Sequence, residues 1–196
     1  IDADNDENIN ICACFNHEEI GSNSNHGAAS TFLVDIINQI LVDLNLNEDR
    51  LNILNRTMVV SADNAHALHP NRPDKSDPAN NVSMNKGIVI KYNAGLSYTT
   101  DAISSSIFKS ICDEVNVPYQ AYTNRSDVRG GGTLGSILLR SLSVISVDIG
   151  LAQLAMHSSY ETAGVHDITY MITALTNFYQ SHIDFKNPST ITINAK

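Results

Sequence analysis

The sequence predicts an α/β domain in which a mixed, mainly parallel sheet lies between helices. Short apolar and β-branched segments alternate along the chain with longer segments whose apolar residues recur at helical spacing. Stretches rich in Asn, Asp, Gly and Pro separate these segments, as expected for connecting loops. Hydrophobic residues make up 42% of the 196 residues, which is enough to bury a sizeable core in one or at most two domains.

The first half of the chain predicts three strands and one long helix. Residues 8–15 form an apolar run that predicts a strand, and residues 57–61 and 86–92 are short runs of the same kind. Residues 27–44 predict a helix because their apolar positions recur every three or four residues. Residues 67–85 contain three prolines and several Asn and Asp, and they predict a long loop.

The second half of the chain predicts three helices and two strands, which completes the alternation expected of an α/β sandwich. The helices are predicted at residues 100–115, 133–140 and 167–182, and the strands at residues 118–122 and 142–149. Both ends of the chain, residues 2–10 and 186–196, are polar and predict irregular edges.

Charge and cysteine content exclude several classes of function. Twelve Lys and Arg against 21 Asp and Glu give a formal net charge of −9, which disfavours nucleic acid and anionic membranes as partners. No apolar run approaches the roughly 20 residues of a membrane span. The three cysteines (Cys12, Cys14 and Cys112) form no C-x-x-C pair, and their number is odd. This usage predicts reduced thiols and a cytoplasmic location.

Two motifs resemble common ligand-binding loops but are incomplete. Asp2, Asp4 and Asp6 have the spacing of a calcium loop, yet Glu7 stands where such a loop needs glycine, so a solvated acidic end is expected. The glycine-rich residues 130–135 lack the ending of a phosphate-binding loop. They predict a turn where the backbone approaches another group closely, as in the wall of a site.

Chemically active side chains follow three of the predicted strands. They are His17, Glu18 and Glu19 after the first strand, Asp63 and His66 after the second, and His157 after the last. The carboxyl ends of strands in an open α/β sheet are where ligands usually bind. Carboxylates and imidazoles without thiolates suit a catalytic zinc site. A solvated turn of hydrogen-bonded polar residues is the structural alternative at each position.

Four blocks of sequence resemble the signature blocks of the aspartyl aminopeptidase family, the binuclear zinc exopeptidases that include vacuolar aminopeptidase I. The blocks are His17-Glu-Glu-Ile-Gly-Ser22, Ser61-Ala-Asp-Asn-Ala-His-Ala67 with His69-Pro-Asn71, Val89-Ile-Lys-Tyr-Asn93, and Met156-His-Ser158. They follow the family's order, and the similar region extends from about residue 9 to residue 178.

The resemblance implies a role for each matched polar residue. Glu18 is implied as the general base, which moves protons between water and the leaving amine. Glu19, Asp63 and His157 are implied as ligands of zinc, with two zinc ions per site and Co²⁺ or Mn²⁺ as possible substitutes. Zinc would activate the water and polarise the scissile carbonyl.

The resemblance also implies a substrate class, because family members favour peptides with an N-terminal Asp or Glu. Lys91 matches the family lysine that meets the acidic side chain, and His66 and Tyr98 match other positions of the substrate pocket. Taken without the resemblance, the pattern favours a hydrated lysine at a strand end for Lys91 and a tyrosine packed at a sheet edge for Tyr98.

The sequence departs from the family pattern in three ways. The family's further His ligand and its bridging Asp belong upstream of the matched blocks, and Tyr160 stands where the family commonly has Arg. The family's inserted domain, which helps to assemble a tetrahedral dodecamer, is not in this sequence. We therefore expect residues 1–196 to be the C-terminal part of a catalytic domain that belongs to a homo-oligomer.

Three functions remain open at this point. The first is a metal-dependent aminopeptidase that removes N-terminal Asp or Glu through a zinc-activated water. The second is a non-catalytic assembly or scaffold relative with the same fold, which the missing upstream ligands and Tyr160 favour. The third is a metallopeptidase of the same kind without an acidic preference.

Overall fold

The structure is a computed structural model, and it describes residues 8–128, 130–187 and 190–194. The helices are α1 (Phe32–Asp43), α2 (Arg50–Asn55), α3 (Ala102–Glu114), α4 (Leu134–Leu138) and α5 (Val165–Gln180). The strands are β1 (Met58–Ala62), β2 (Ala65–His66), β3 (Ile88–Tyr92), β4 (Tyr119–Thr123), β5 (Ile145–Gly150), β6 (Ala152–Leu154), β7 (Thr162–Ala163), β8 (His182–Asn187) and β9 (Thr190–Asn194). Three short 3₁₀ turns lie at Glu18–Ile20, Asn47–Asp49 and Pro73–Lys75.

The central sheet has the strand order β1-β5-β3-β4. β1 is parallel to β5, and β3 is parallel to β4, whereas β3 and β5 are antiparallel. Two of the three pairings are therefore parallel, which confirms the predicted mixed, mainly parallel α/β fold. A smaller sheet, β2-β6-β7, continues beyond β1 and β5, and β8 pairs with β9 in an antiparallel hairpin.

One face of the central sheet is apolar and packs against α3 and α5. The buried residues of this core come from β3, β5, both helices and the loop before β4: Ile88, Ile90, Phe108, Cys112, Val117, Val147, Ile149 and Ala174. Alternate residues of the same strands point to the other face. There the strand register places Ser61 beside Asp148, and Lys91 beside Tyr122. The second face thus carries a row of polar side chains across the sheet.

The strand predicted at residues 8–15 is wrong. Residues 8–15 belong to none of the assigned strands, and the segment runs beside the end of α5. The side-chain amides of Asn8 and Asn10 donate to the carbonyl oxygens of Ser181 and Tyr179, at 2.8 and 3.1 Å. The apolar pattern gives this segment strand propensity, but a strand also needs a neighbouring edge for its backbone groups.

Other differences from the prediction are local. The helix predicted from residue 27 begins at Phe32, because turns occupy the preceding residues. The tail predicted to be irregular from residue 186 forms most of the β8–β9 hairpin, so that prediction is wrong. Helix α2 and the small sheet were not predicted. The acidic residues Asp2, Asp4 and Asp6 lie outside the described residues. Within the described ranges, none of the helices combines the length and apolar character that crossing a membrane requires.

Cys112 provides a test of the core packing between α3 and the sheet. Its side chain is fully buried, and burial, with a smaller effect of Asp113, raises the thiol pKa from 9.0 to about 12. Cys12 and Cys14 are exposed. At pH 8 we expect a thiol reagent to modify two cysteines rapidly and Cys112 only after unfolding, because the thiolate is the reactive form. Labelled mass before and after addition of urea measures this. Rapid labelling of all three thiols in the folded protein would contradict the packing.

Candidate active site

The parallel strands β1 and β5 deliver two of the predicted residues to the same edge of the central sheet. Backbone hydrogen bonds extend the pairing past the strand ends, from Asp63 N to Ile149 O at 3.0 Å and from Ala65 N to Leu151 O at 2.9 Å. Asp63 lies between β1 and β2, and His157 follows β6. His157 has a left-handed backbone, with φ of 66°, which turns the chain back at this edge.

Glu18 and Glu19 are held by a short 3₁₀ turn. Left-handed residues flank it, His17 with φ of 61° and Gly21 with φ of 104°. The backbone nitrogen of Ser22 donates to His17 O at 2.8 Å and closes the turn. His17 Nδ1 lies 2.8 Å from the hydroxyl oxygen of Ser24, so its ring is engaged within the turn.

Glu19 and His157 come together in space. Glu19 Oε2 lies 2.8 Å from His157 Nε2, and both side chains are mostly exposed, at 69% and 62%. Glu161 accepts a hydrogen bond from the backbone nitrogen of His157 at 2.6 Å. Two ligands of one tetrahedral zinc ion lie about 3.4 Å apart, given bond lengths near 2.1 Å. The carboxylate and imidazole therefore fit zinc in donor type and come within about 1 Å of the required separation.

Asp63 pairs with Lys91. Lys91 Nζ lies 3.5 Å from Asp63 Oδ2 and donates to the carbonyl oxygen of Asn64 at 3.2 Å. The Lys91 side chain is only 2% exposed, and its ammonium lies 5.3 Å from the centre of the Tyr98 ring. Burial lowers the pKa of Lys91, and the negative charges of Asp63, Asp148 and Glu18 oppose that shift.

The charges of Glu18 and His66 interact with those of the other candidate residues. Burial raises the pKa of Glu18, and the negative charges of Asp63 and Glu19 add to that effect, while His157 and Lys91 oppose it. Burial also lowers the pKa of His66, with His157 and Lys91 acting in the same direction. Glu18 and His66 therefore both lie near Asp63, His157 and Lys91.

The predicted metal ligands are only partly assembled. Among the described residues, no group of three His, Cys, Asp or Glu side chains is arranged to hold a metal ion. Glu19 and His157 form a close pair, but Asp63 is engaged with Lys91 rather than with them. The described residues supply two neighbouring zinc-type donors and a third candidate nearby.

Sequence reasoning missed several residues that shape the site around Tyr98. Tyr122 donates to Asn124 Oδ1 at 2.6 Å, and Asn124 Nδ2 donates to the Tyr98 hydroxyl at 3.4 Å. The buried carboxylate of Asp148 lies on the same face of the sheet as Lys91. A charged residue inside the apolar segment 142–149 was the available signal for Asp148. Asn124 carried no comparable signal.

Sequence comparison identifies related proteins. A family profile described as aminopeptidase I zinc metalloprotease (M18) matches residues 2–179. The chain is 44% identical to a probable M18 family aminopeptidase 2 of Clostridium novyi (strain NT), over 87% of this chain and 40% of that protein. It is 38% identical to a probable M18 family aminopeptidase 2 of Mycobacterium tuberculosis, over 89% of this chain and 41% of that protein. The chain thus spans about 40% of the length of these curated relatives.

Structure comparison gives the same grouping. A cryo-EM structure of an Ape4 and Nbr1 complex matches 84% of this chain and 31% of that chain, with a TM-score of 0.80 and 35% identity. The crystal structure of an M18 family aminopeptidase from Thermotoga maritima matches 83% of this chain and 37% of that chain, with a TM-score of 0.71 and 26% identity. A Saccharomyces mApe1 dodecamer, at 22% identity and a TM-score of 0.68 over 83% of this chain and 36% of that chain, shares the fold.

The turn that carries Glu18 and Glu19 depends on the close approach of Gly27. A Cβ atom at Gly27 would lie 2.2 Å from the carbonyl oxygen of Ser22. We expect Gly27→Ala to lower the free energy of unfolding by about 1–3 kcal/mol, because the backbone must shift to relieve the contact. Gly131→Ala is the matched control, since its Cβ would meet nothing within 4 Å. Urea unfolding of both variants measures the difference, and equal stabilities would show that the turn is not packed as described.

Proposed function

The chain belongs to the aminopeptidase I (M18) family of zinc metalloproteases, and we propose that it forms part of the active site of a metal-dependent aminopeptidase. One observation carries the proposal. The close pair of Glu19 and His157 lies beside Glu18 in a cluster that also contains Asp63 and the buried Lys91. This arrangement joins two zinc-type ligands to a carboxylate whose pKa is raised and to a buried cation. Those are the groups that hydrolysis of a charged peptide substrate needs.

Zinc is the proposed cofactor. Glu19 and His157 would hold it, with Asp63 as a further ligand. We propose two zinc ions per site, with the remaining ligands supplied by segments outside residues 1–196, and Co²⁺ or Mn²⁺ as substitutes. When bound, zinc would supply an activated water and polarise the scissile carbonyl. The chain would then be the C-terminal part of the catalytic domain.

Glu18 is the proposed general base. Its carboxylate would accept a proton from the attacking water and return it to the nitrogen of the leaving amine. Burial and the neighbouring carboxylates Asp63 and Glu19 raise its pKa, which makes it a better proton acceptor than an isolated glutamate. The turn between His17 and Ser22 would keep it beside the metal ligands without relying on a strand.

Peptides with an N-terminal Asp or Glu are the proposed substrates. Lys91 would bind the acidic side chain, because its ammonium is buried and only partly compensated by Asp63, at 3.5 Å. Its three donors are arranged around one carboxylate oxygen and one carbonyl oxygen, which leaves donor capacity for an anionic ligand. Tyr98 and His66 would line the same pocket.

We further propose that the protein is a cytoplasmic homo-oligomer, a dodecamer as the family resemblance implies. Two alternatives remain testable. A non-catalytic scaffold relative is favoured by the absence of a three-ligand group among the described residues. A metallopeptidase without acidic preference would keep the metal ligands but make no use of Lys91.

Replacing Glu18 by Gln is the sharpest test of catalysis. We expect Glu18→Gln in the full-length, zinc-loaded protein to reduce kcat by about 10²–10⁴-fold, because the amide cannot accept the proton. Hydrolysis of a glutamyl arylamide measures this, with circular dichroism and zinc content as checks on folding and metal binding.

Glu48→Gln is the matched control for this change, since Glu48 is exposed on the 3₁₀ turn Asn47–Asp49. It should leave kcat unaltered. Unchanged turnover in Glu18→Gln would reject the assignment of the base. A folded wild-type protein with neither zinc nor turnover would instead support the scaffold alternative.

A substitution of Lys91 tests the preference for acidic substrates separately from catalysis. We expect Lys91→Met to lower the ratio of kcat/KM for glutamyl over leucyl arylamides by about tenfold or more, because a substrate carboxylate would lose its charged partner. The methionine keeps most of the buried volume. If wild type and variant show the same ratio, the enzyme selects substrates by another group.

A further inference from the structure

Asp148 is a fully buried carboxylate on β5 that the proposed catalytic scheme leaves without a role. Both oxygens accept hydrogen bonds. Oδ2 accepts from the backbone nitrogen of Thr99 at 2.6 Å and from its hydroxyl at 3.0 Å, and Oδ1 accepts from the hydroxyl of Thr133 at 2.9 Å. A buried carboxylate is costly, so its hydrogen bonds define where these partners must lie.

The partners of Asp148 belong to two loops, the loop that carries Tyr98 and the glycine-rich turn before α4. Thr99 is the residue after Tyr98, and its neighbour Thr100 donates to the backbone carbonyl of Asp148 at 3.4 Å and accepts from its nitrogen at 2.9 Å. Thr133 follows the glycine-rich residues 130–132 and precedes α4. One side chain on a rigid central strand therefore anchors both loops.

The same side chain is enclosed by the polar row of the sheet. The antiparallel register that pairs Ile90 with Ile149 brings Lys91 opposite Asp148 at the next position. The negative charge of Asp148 opposes the lowering of the Lys91 pKa that burial causes. A Cβ atom at Gly135 would lie 2.8 Å from Asp148 Oδ1, so glycine at this position lets α4 pack directly over the carboxylate.

We propose that Asp148 is a positioning residue for the substrate side-chain pocket. It fixes the Tyr98 loop and the glycine-rich turn before α4 through its hydrogen bonds, and it places a buried negative charge opposite Lys91, whose ammonium would bind the acidic side chain. The inference rests on the proposed aminopeptidase function and on the role of Lys91 in it. Asp148 does not touch substrate. It acts on selectivity through the geometry of Tyr98 and Lys91.

A second buried carboxylate provides a matched control. Asp167 is also fully buried, and it accepts hydrogen bonds from the backbone nitrogens of Asn85 and Gly87 at 2.6 and 2.9 Å. These partners join the loop before β3 to the start of α5, away from Tyr98 and Lys91. Asp167 therefore has the same burial and a comparable number of accepted bonds without a link to the pocket.

The test compares Asp148→Asn with Asp167→Asn in the full-length, zinc-loaded protein. Asp148→Asn removes the negative charge, and because an amide accepts on one side only, the bond on the other side, to Thr99 or Thr133, must break or reverse its direction. We expect its ratio of kcat/KM for glutamyl over leucyl arylamides to fall about tenfold or more, which corresponds to about 1.4 kcal/mol of differential transition-state binding. The fall should lie mainly in KM for the glutamyl substrate. Asp167→Asn should lower Tm while leaving this ratio within about twofold of wild type, because selectivity changes only when pocket contacts change.

Thr99→Val keeps the test decisive if Asp148→Asn fails to fold. It removes one hydroxyl donor to Asp148 and leaves the carboxylate in place, and we expect a smaller fall of the same ratio. An unaltered ratio in the folded variants overturns the inference, and so does an equal fall in Asp167→Asn. A wild-type protein that hydrolyses neither substrate overturns the proposed function itself, which distinguishes the two failures.

Discussion

The buried ammonium of Lys91 is the constraint on which the arrangement of the site depends. An amine that is 2% exposed must be compensated by anionic or dipolar groups, and those groups come from separate parts of the chain. Asp63 and Asn64 reach it from the junction of β1 and β2, and the Tyr98 ring covers it from the loop before α3. Because these groups must compensate the charge of Lys91, the β1–β2 junction and the loop before α3 are held in fixed positions over β3.

The two faces of the central sheet have different roles, since one packs into the apolar core and the other carries the polar side chains of the proposed site. Ile88 and Ile90 on β3 point into the apolar core against α3 and α5, while Lys91, between Ile90 and Tyr92, points to the opposite face. The twofold alternation of a strand makes this division possible with only five residues. The same alternation in β5 puts Val147 and Ile149 in the core and Asp148 among the polar residues. Packing of the core thus fixes the register of the polar row.

The helices and strands that could be predicted are those whose own residues repeat in a regular apolar pattern. Helices α1, α3 and α5 and the four central strands were predicted because each carries a clear apolar period. Residues 8–15 have strand propensity but belong to no strand, and β8 and β9 are polar segments that form strands by pairing with each other. For the proposed site, the sequence indicated residue types but not the contacts between them. Lys91 meets Asp63 in a sheet where β3 runs antiparallel to β5, and no local sequence feature encodes that direction.

The charges gathered around Lys91 would link the metal content of the proposed site to the electrostatic potential at its mouth. Glu18, Glu19, Asp63 and Asp148 carry four negative charges, and Lys91 carries one positive charge, so the cluster has a formal charge of −3 with neutral histidines. Each divalent cation held there would make this charge less negative by two units, and each further carboxylate ligand supplied from outside residues 1–196 would make it more negative by one. The potential that an acidic side chain would meet at the proposed site therefore depends on how many ions are bound.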